Sequence, residues 1–289
     1  MTTLPITPPS QIITGKARLA GVMGWPVEHS RSPVLHNYWL RRYGVDGAYV
    51  PLPTAPEGFE AAVQGLRAAG FKGVNITIPH KEAAYRLADV LDASAQRAEA
   101  VNTLVFREDG KILGLSTDGS GFVASLEAGH LPLRPQTRAL LLGAGGAARS
   151  VAAALQDRGM KVTITNRTLG RAVVLAAALP GTDVLPWSGW EQRLGEFSVL
   201  VNTTSLGMAG GPDPLFCPSL TRAAEDMVVA DIVYVPLVTP LLAAATRQGL
   251  RTVGGLGMLL HQARFGFKAW FGVDPEVDDA TQDHVLNSL

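Results

Sequence analysis

The sequence holds a single cysteine, Cys217. No disulfide can form within one chain, so the fold rests on a hydrophobic core, and this cysteine usage fits a reducing compartment. No apolar run comes near the roughly 18 residues that a membrane helix needs, and the opening MTTLPITPPSQ lacks the apolar stretch of a secretory signal. A cytoplasmic protein without membrane contact is expected. Neither charge is in surplus: 25 Lys+Arg balance 25 Asp+Glu, so no global field draws nucleic acid, and an anionic ligand must be held locally. The histidines, at positions 29, 36, 80, 130, 261 and 284, show neither HExxH nor Cys/His spacing, which argues against a bound metal. Apolar residues, by contrast, are plentiful: 47% against 17% charged, in 289 residues, suggests two globular domains at roughly 150 residues each.

Residues 1–11 carry three prolines and little periodicity, and read as a mobile tail. Leu19–Gly24 is a short apolar run and a first buried strand. The loop Trp25–Pro33 follows, with Pro33 opening a helix and Ser32 able to cap it. Two hydroxyls at a helix start, Ser30 and Ser32, can hold a carboxylate without a basic side chain; equally, they can be a turn residue and a cap. A strand at Tyr49–Leu52 and a helix from Pro56 to Ala69, closed by Gly70, come next.

In Gly73–Lys81, Val74, Ile76 and Ile78 alternate with Asn75 and Thr77, the period of a half-buried strand. Pro79 ends the ladder and suits the first turn of a helix expected to run from Lys81 to about Leu91. Asn75, Thr77 and Lys81 together present an amide, a hydroxyl and an ammonium, a combination suited to a polyol; an edge strand with a solvated polar face is the plainer alternative. A strand over Ala100–Phe106, beginning with polar Asn102 and Thr103, meets Lys111–Leu115 through an Asp109-Gly110 hairpin turn, and Ser116–Gly119 leads into another helix. Alternating strands and helices predict an α/β domain with a mostly parallel sheet, whose ligands lie at the carboxyl ends of strands, where Lys81 and Asp118 fall.

The second half opens on Ala139–Leu142, a buried strand followed at once by Gly143-Ala144-Gly145-Gly146-Ala147-Ala148 and an Ala-rich helix. This is G-x-G-x-x-A in its required strand–turn–helix setting, a dinucleotide site whose pyrophosphate rests on the helix N-terminus. The next strand, Lys161–Thr165, ends at Asn166, Arg167 and Thr168, with Arg171 a turn further on. An NAD site places Asp or Glu here, whereas guanidinium groups grip a 2′-phosphate, so the cofactor expected is NADP unless both arginines are ordinary surface charges. Val199–Thr204 is a further strand with a polar end at Thr203 facing the nicotinamide half, and Val228–Tyr234 another. The helix from Gly254 through Met258 to Phe271 follows the last of these strands and is expected to cross back to the first domain; Met258 and Leu259 read as packing residues, Gln262 as either.

Taken together, the segments GWPVEHSRSPVLHN (24–37), NITIPHK (75–81), AVNT (100–103), STDG (116–119), GAGGAAR (143–149), NRTLGR (166–171), NTTSLGM (202–208), DIVYVPLVTPLL (231–242) and GGLGMLLHQA (254–263) resemble the shikimate dehydrogenase family, from about Leu19 to Gly272. The resemblance implies NADPH-dependent reduction of 3-dehydroshikimate to shikimate, a step of aromatic amino-acid synthesis. It implies a substrate domain at 18–117 rejoined by 256–289, and a Rossmann-like NADP domain at 118–255, behind a tail at 1–17. By motif, Ser30 and Ser32 hold the substrate carboxylate; Asn75, Thr77, Asn102, Asp118 and Gln262 bind the ring hydroxyls with Tyr234 nearby; Lys81 and Asp118 form the catalytic pair. Asn166, Arg167 and Arg171 hold the 2′-phosphate, and Gly143, Ala144, Gly145, Gly146, Ala147, Thr168, Thr203, Ile232, Gly255 and Met258 complete the cofactor site. Ser116 stands where the family most often has Asn, so local rewiring is expected there. The implied partners are small molecules only, with the chain a monomer or homodimer. A quinate/shikimate dehydrogenase and a non-catalytic sensor on the same fold are the competing readings.

Overall fold

The computed structural model describes residues 13–129 and 134–289; the expected tail up to residue 11 and His130 lie outside them. In chain order the first half forms β1 (Arg18–Gly24), α1 (Ser32–Arg42), β2 (Gly47–Pro53), α2 (Phe59–Ala68), β3 (Gly73–Ile76), α3 (Lys81–Leu87), β4 (Val90–Leu91), α4 (Ala93–Ala98), β5 (Thr103–Phe106) and β6 (Ile112–Leu115). The second forms α5 (Asp118–Ala128), β7 (Arg138–Leu142), α6 (Gly146–Asp157), β8 (Lys161–Asn166), α7 (Leu169–Ala178), β9 (Thr182–Pro186), β10 (Val199–Asn202), β11 (Val228–Asp231), α8 (Pro240–Arg247), β12 (Arg251–Val253), α9 (Gly255–Phe271) and α10 (Asp279–Leu286).

The first sheet runs β2-β1-β3-β5-β6-β4. Its pairings are parallel except at β5, which is antiparallel to both β3 and β6 because the Asp109-Gly110 hairpin turns the chain back at once. The second sheet runs β12-β11-β10-β7-β8-β9, all parallel, which is the doubly wound order with its switch point between β7 and β10. Ala139 and Leu141 face one core, and Leu140 and Leu142 face the other. Burial on both faces explains why β7 reads as an unbroken apolar run without alternation.

Four local expectations give way in the structure. Ile78 does not continue the apolar face of β3: the strand ends at Ile76 and Ile78 is 67% exposed, while Thr77 donates its N–H to Met23 O. The predicted helix to Leu91 stops at Leu87, because Val90 and Leu91 pair with β6 at the sheet edge and Ala88 turns extended to allow it. Pro79 precedes α3 and does not lie in its first turn; His80 is the cap residue, its ring bonded to Thr54 O at 2.8 Å and stacked on Phe59. Ser32, expected as an N-cap, is instead the first residue of α1, with Arg31 at the cap position and no side chain capping it.

Helix α9 returns to the first sheet as expected: Leu256, Leu260, Ala263, Phe267, Trp270 and Phe271 share a core with Ala20 and Val22 of β1 and Leu35 and Trp39 of α1. Helix α5 lies between the halves and touches both by omitting side chains. A Cβ on Gly119 would strike the carbonyl of Ser150 in α6, one on Gly121 the backbone of Gln262 in α9, and Gly257 is likewise needed against Ser125.

The core behind the first sheet contains a buried base. His36 is fully buried and stacked face to face on Tyr49 with ring centroids 4.0 Å apart, and neither ring nitrogen has a partner among the described residues. Burial alone lowers its pKa to about 3. A histidine that ionises near 6.5 when unfolded but near 3 when folded favours the native state above 6.5, and that preference is lost progressively as pH falls between those values. His36→Phe, which keeps the stacked ring, is therefore expected to flatten the fall in Tm between pH 6.5 and about 4; an unchanged pH profile by calorimetry would exclude this origin of acid lability.

Candidate active site

The carboxyl ends of β3 and β6, the amino end of β5 and the starts of α3 and α5 converge on one polar cluster. Lys81, first residue of α3, places Nζ 2.5 Å from Asp118 Oδ2, with side chains only 15% and 8% exposed. Asp118 opens α5, where the helix dipole favours a carboxylate. Its other oxygen accepts from Asn102 Nδ2 at 2.9 Å, so both oxygens are oriented. Asn102, expected inside the strand Ala100–Phe106, precedes the observed β5, and its amide is committed locally: Oδ1 accepts from the Thr117 N–H at 2.8 Å, and Nδ2 also reaches Thr117 Oγ1 at 2.9 Å and Gln262 Oε1 at 3.2 Å. Gln262 thus enters the cluster from α9. Thr117 was not singled out by the sequence, although it lies between two residues that were.

Asn75 forms the floor beside this cluster. Its Nδ2 donates to Thr103 Oγ1 at 3.0 Å and to Asn102 O at 3.2 Å, and its Oδ1 accepts from the Tyr49 hydroxyl at 2.6 Å. Thr77, half-buried, follows on the segment leaving the strand, and Ser30 Oγ accepts from the Ser32 N–H at 3.3 Å at the start of α1. Tyr234 reaches this region from the loop after β11, where burial raises its pKa against the opposing pull of the Arg31 backbone and guanidinium. That loop is anchored by buried Asp231, whose oxygens accept from Asn202 Nδ2 (3.0 Å), the Val233 N–H (3.0 Å) and Thr239 Oγ1 (2.7 Å), and whose pKa burial lifts to about 6. Ser116 makes contacts the sequence could not reveal: its hydroxyl lies 2.7 Å from Ser150 Oγ in α6, joining the cluster to the nucleotide half.

The opposite wall is the glycine turn after β7. Gly143 adopts φ +115 and a side chain there would meet Thr203 Oγ1 at 2.8 Å, so only glycine lets β7 and β10 part at the switch point. Nothing lies within 4 Å of where a Gly145 Cβ would be, and no side chain caps α6, so its leading N–H groups are left open to an anion. A Cβ on Gly146 would touch the Lys81 side chain at 3.2 Å, which brings the two walls together. At the end of β8, Asn166 Nδ2 bonds the Thr168 carbonyl, and Arg167, Thr168 and Arg171 are exposed with neither guanidinium paired to a carboxylate among the described residues. With no acidic side chain ending that strand, these residues fit a dinucleotide carrying a 2′-phosphate. Ile232, Gly255 and Met258 gather on the same side: a Gly255 Cβ would strike Ile232 O, and Met258 packs in the core of the second sheet.

Chemistry that needs a dinucleotide on one wall and an ammonium–carboxylate pair on the other is hydride transfer at a polar carbon, and it places the chain among the nicotinamide-dependent oxidoreductases. Three family descriptions match in succession: the shikimate dehydrogenase substrate binding domain over residues 22–104, shikimate / quinate 5-dehydrogenase over 128–232, and the shikimate 5′-dehydrogenase C-terminal domain over 255–282. The chain is 56% identical over 278 residues to a shikimate dehydrogenase (NADP(+)) of Gluconobacter oxydans, covering 96% of this chain and 99% of the other. It is 58% identical to its counterpart in Acidiphilium cryptum at the same coverage. A solved structure of the Thermus thermophilus enzyme in complex with NADP(H) and shikimate superposes with a TM-score of 0.83 at 36% identity, covering 94% of this chain and 100% of that one. The chain belongs to the shikimate dehydrogenase family. Among the described residues no helix is long and apolar enough to cross a membrane.

Proposed function

We propose that this chain reduces 3-dehydroshikimate to shikimate reversibly with NADPH, with residues 18–117 and 256–289 binding substrate and 118–255 binding the cofactor. The observation that carries this reading is the Lys81–Asp118 pair, 2.5 Å apart, facing the glycine turn at Gly146. When bound, NADPH supplies the hydride that reduces the ring carbonyl. Gly143, Gly145 and the leading N–H groups of α6, with Ala144 and Ala147 beside them, hold its pyrophosphate; Asn166, Arg167, Thr168 and Arg171 hold the 2′-phosphate. Thr203, Ile232, Gly255 and Met258 line the nicotinamide end.

Lys81 Nζ donates a proton to the carbonyl oxygen as negative charge develops there, and draws a replacement from solvent through the partly open side of the pair. Asp118 aims the Lys81 Nζ, while Asn102 fixes Asp118 from behind. In the reverse direction the neutral lysine takes the proton from the substrate hydroxyl. Ser30 and Ser32 bind the carboxylate at the start of α1, and Asn75, Thr77, Gln262 and Tyr234 bind the remaining polar edge of the ring.

Quinate is the second substrate to weigh, because the description matched over residues 128–232 names both compounds. A spectrophotometric assay of shikimate and quinate with NADP⁺ and with NAD⁺ tests the proposal. Turnover of shikimate with NADP⁺ is expected to dominate. Preference for quinate or for NAD⁺ would overturn the substrate or cofactor assignment separately, and absence of turnover with all four pairs would point to a ligand sensor.

A further inference from the structure

Behind the site lies an aromatic residue that the sequence shows only as one more apolar position of β2. We infer that Tyr49 is a positioning residue for substrate, setting which way the Asn75 amide faces and linking that amide to the catalytic pair; this rests on the reading of the site as a shikimate site. The Tyr49 hydroxyl is buried and donates to Asn75 Oδ1 at 2.6 Å. From Asn75 the bonds continue in one direction: Nδ2 to Thr103 Oγ1 at 3.0 Å, Thr103 Oγ1 to Asn102 Oδ1 at 3.2 Å, and Asn102 Nδ2 to Asp118 Oδ1 at 2.9 Å. Five side chains, Tyr49, Asn75, Thr103, Asn102 and Asp118, therefore run from β2 to the carboxylate that orients Lys81.

Counting donors shows what this does. An amide nitrogen has two N–H groups, and those of Asn75 are taken by Thr103 Oγ1 and Asn102 O. Its oxygen has two acceptor positions, of which Tyr49 uses one. Asn75 is thus left able only to accept. An acceptor-only group repels a carbonyl oxygen and welcomes a hydroxyl, so Asn75 takes a ring oxygen that remains a hydroxyl throughout, and the reacting oxygen falls to Lys81. Without the Tyr49 hydroxyl the amide has no donor holding its oxygen in place and can turn, presenting N–H where the hydroxyl proton should go.

The His36 stack makes the test clean, because Tyr49→Phe keeps the ring and removes only the hydroxyl. Purified wild type and variant are compared in steady state with shikimate and NADP⁺, with Tm measured alongside. Expected is a rise in KM for shikimate of about tenfold, the loss of one oriented hydrogen bond. The KM for NADP⁺ should stay within about twofold, and kcat should fall less than KM rises. Thr103→Val, which breaks the next bond of the same series, should move the same constant in the same direction. A lowered Tm with shikimate KM unchanged in both variants would make Tyr49 a packing residue and overturn the inference. Failure of the wild type to turn over shikimate would instead strike the reading on which it rests.

Discussion

Lys81→Ala is expected to lower kcat by at least about 10²-fold while the KM for shikimate changes little. The lysine is asked to act where charge appears, on an oxygen that is neutral in the bound ketone and anionic after hydride arrives. An interaction that strengthens only in the transition state shows in kcat, and one made equally with the ground state shows in KM. The geometry supports the first case: Nζ is already engaged by Asp118 Oδ2 at 2.5 Å, so its attraction to a neutral carbonyl adds little to ground-state binding. General acid help of this kind contributes roughly 10²–10⁴ in rate. Asp118→Asn should give a smaller loss, since Asn102 still holds the side chain in place and only the charge is removed. Stopped-flow single turnovers separate the chemical step from product release. A near-wild-type chemical rate in Lys81→Ala would remove lysine from the proton-transfer role.

The second large effect concerns the cofactor. Arg167→Ala combined with Arg171→Ala is expected to raise the KM for NADPH by about 10²-fold and that for NADH by no more than about threefold. A hydrogen bond to a charged group contributes about 1.5–3 kcal/mol, and the lower end applies twice here because both guanidinium groups stand in solvent. No carboxylate engages either one among the described residues, so their removal should leave Tm nearly unaltered. The contrast between the two nucleotides is the decisive readout, since they differ only in the 2′-phosphate. An equal loss with both would mean that the arginines shape the loop after β8 without touching that group. Raising salt should narrow the contrast further, as expected for exposed charges.

Much of this site could be read in the chain because its parts are local. A strand, a glycine turn and a helix lie within Ala139–Asp157, so the phosphate cradle is visible in some twenty consecutive residues. The arginines follow at the next strand end for the same reason. The Lys81–Asp118 pair needed one further idea, that strand ends in an α/β sheet share an edge. What escaped depended on contacts across the fold. Tyr49 looks like an ordinary strand aromatic, and only its packing against His36 and Asn75 shows where the hydroxyl goes. Ile78 keeps the apolar period of β3 yet stands 67% exposed, because the sheet ends before it. The early end of α3 follows from edge pairing of two residues, Val90 and Leu91, against Leu113 and Gly114, a signal too short to compete with helix propensity in the sequence. The link between Ser116 and Ser150 joins residues 34 positions apart through hydroxyls that carry no pattern at all.

The side-chain-free faces of α5 bear on how such an enzyme could be recombined. Gly119 lets α5 meet α6, and Gly121 and Gly257 let it meet α9, at distances that exclude even a methyl group. At Gly119 and Gly121 a side chain would strike the neighbouring backbone, which no change of side chain can move, and at Gly257 it would strike the Ser125 side chain. A nucleotide-binding half borrowed from another dehydrogenase would therefore not graft at the apparent seam before Asp118, since its own α6 would have to fit this α5 to within a few tenths of an ångström. The exchangeable cassette is smaller than the Rossmann half: it excludes α5, the first turns of α6 and α9, and with them the walls that face the substrate. Arg167 and Arg171, proposed to hold the 2′-phosphate, lie inside that cassette, so cofactor preference is expected to be transplantable while the reaction chemistry stays behind.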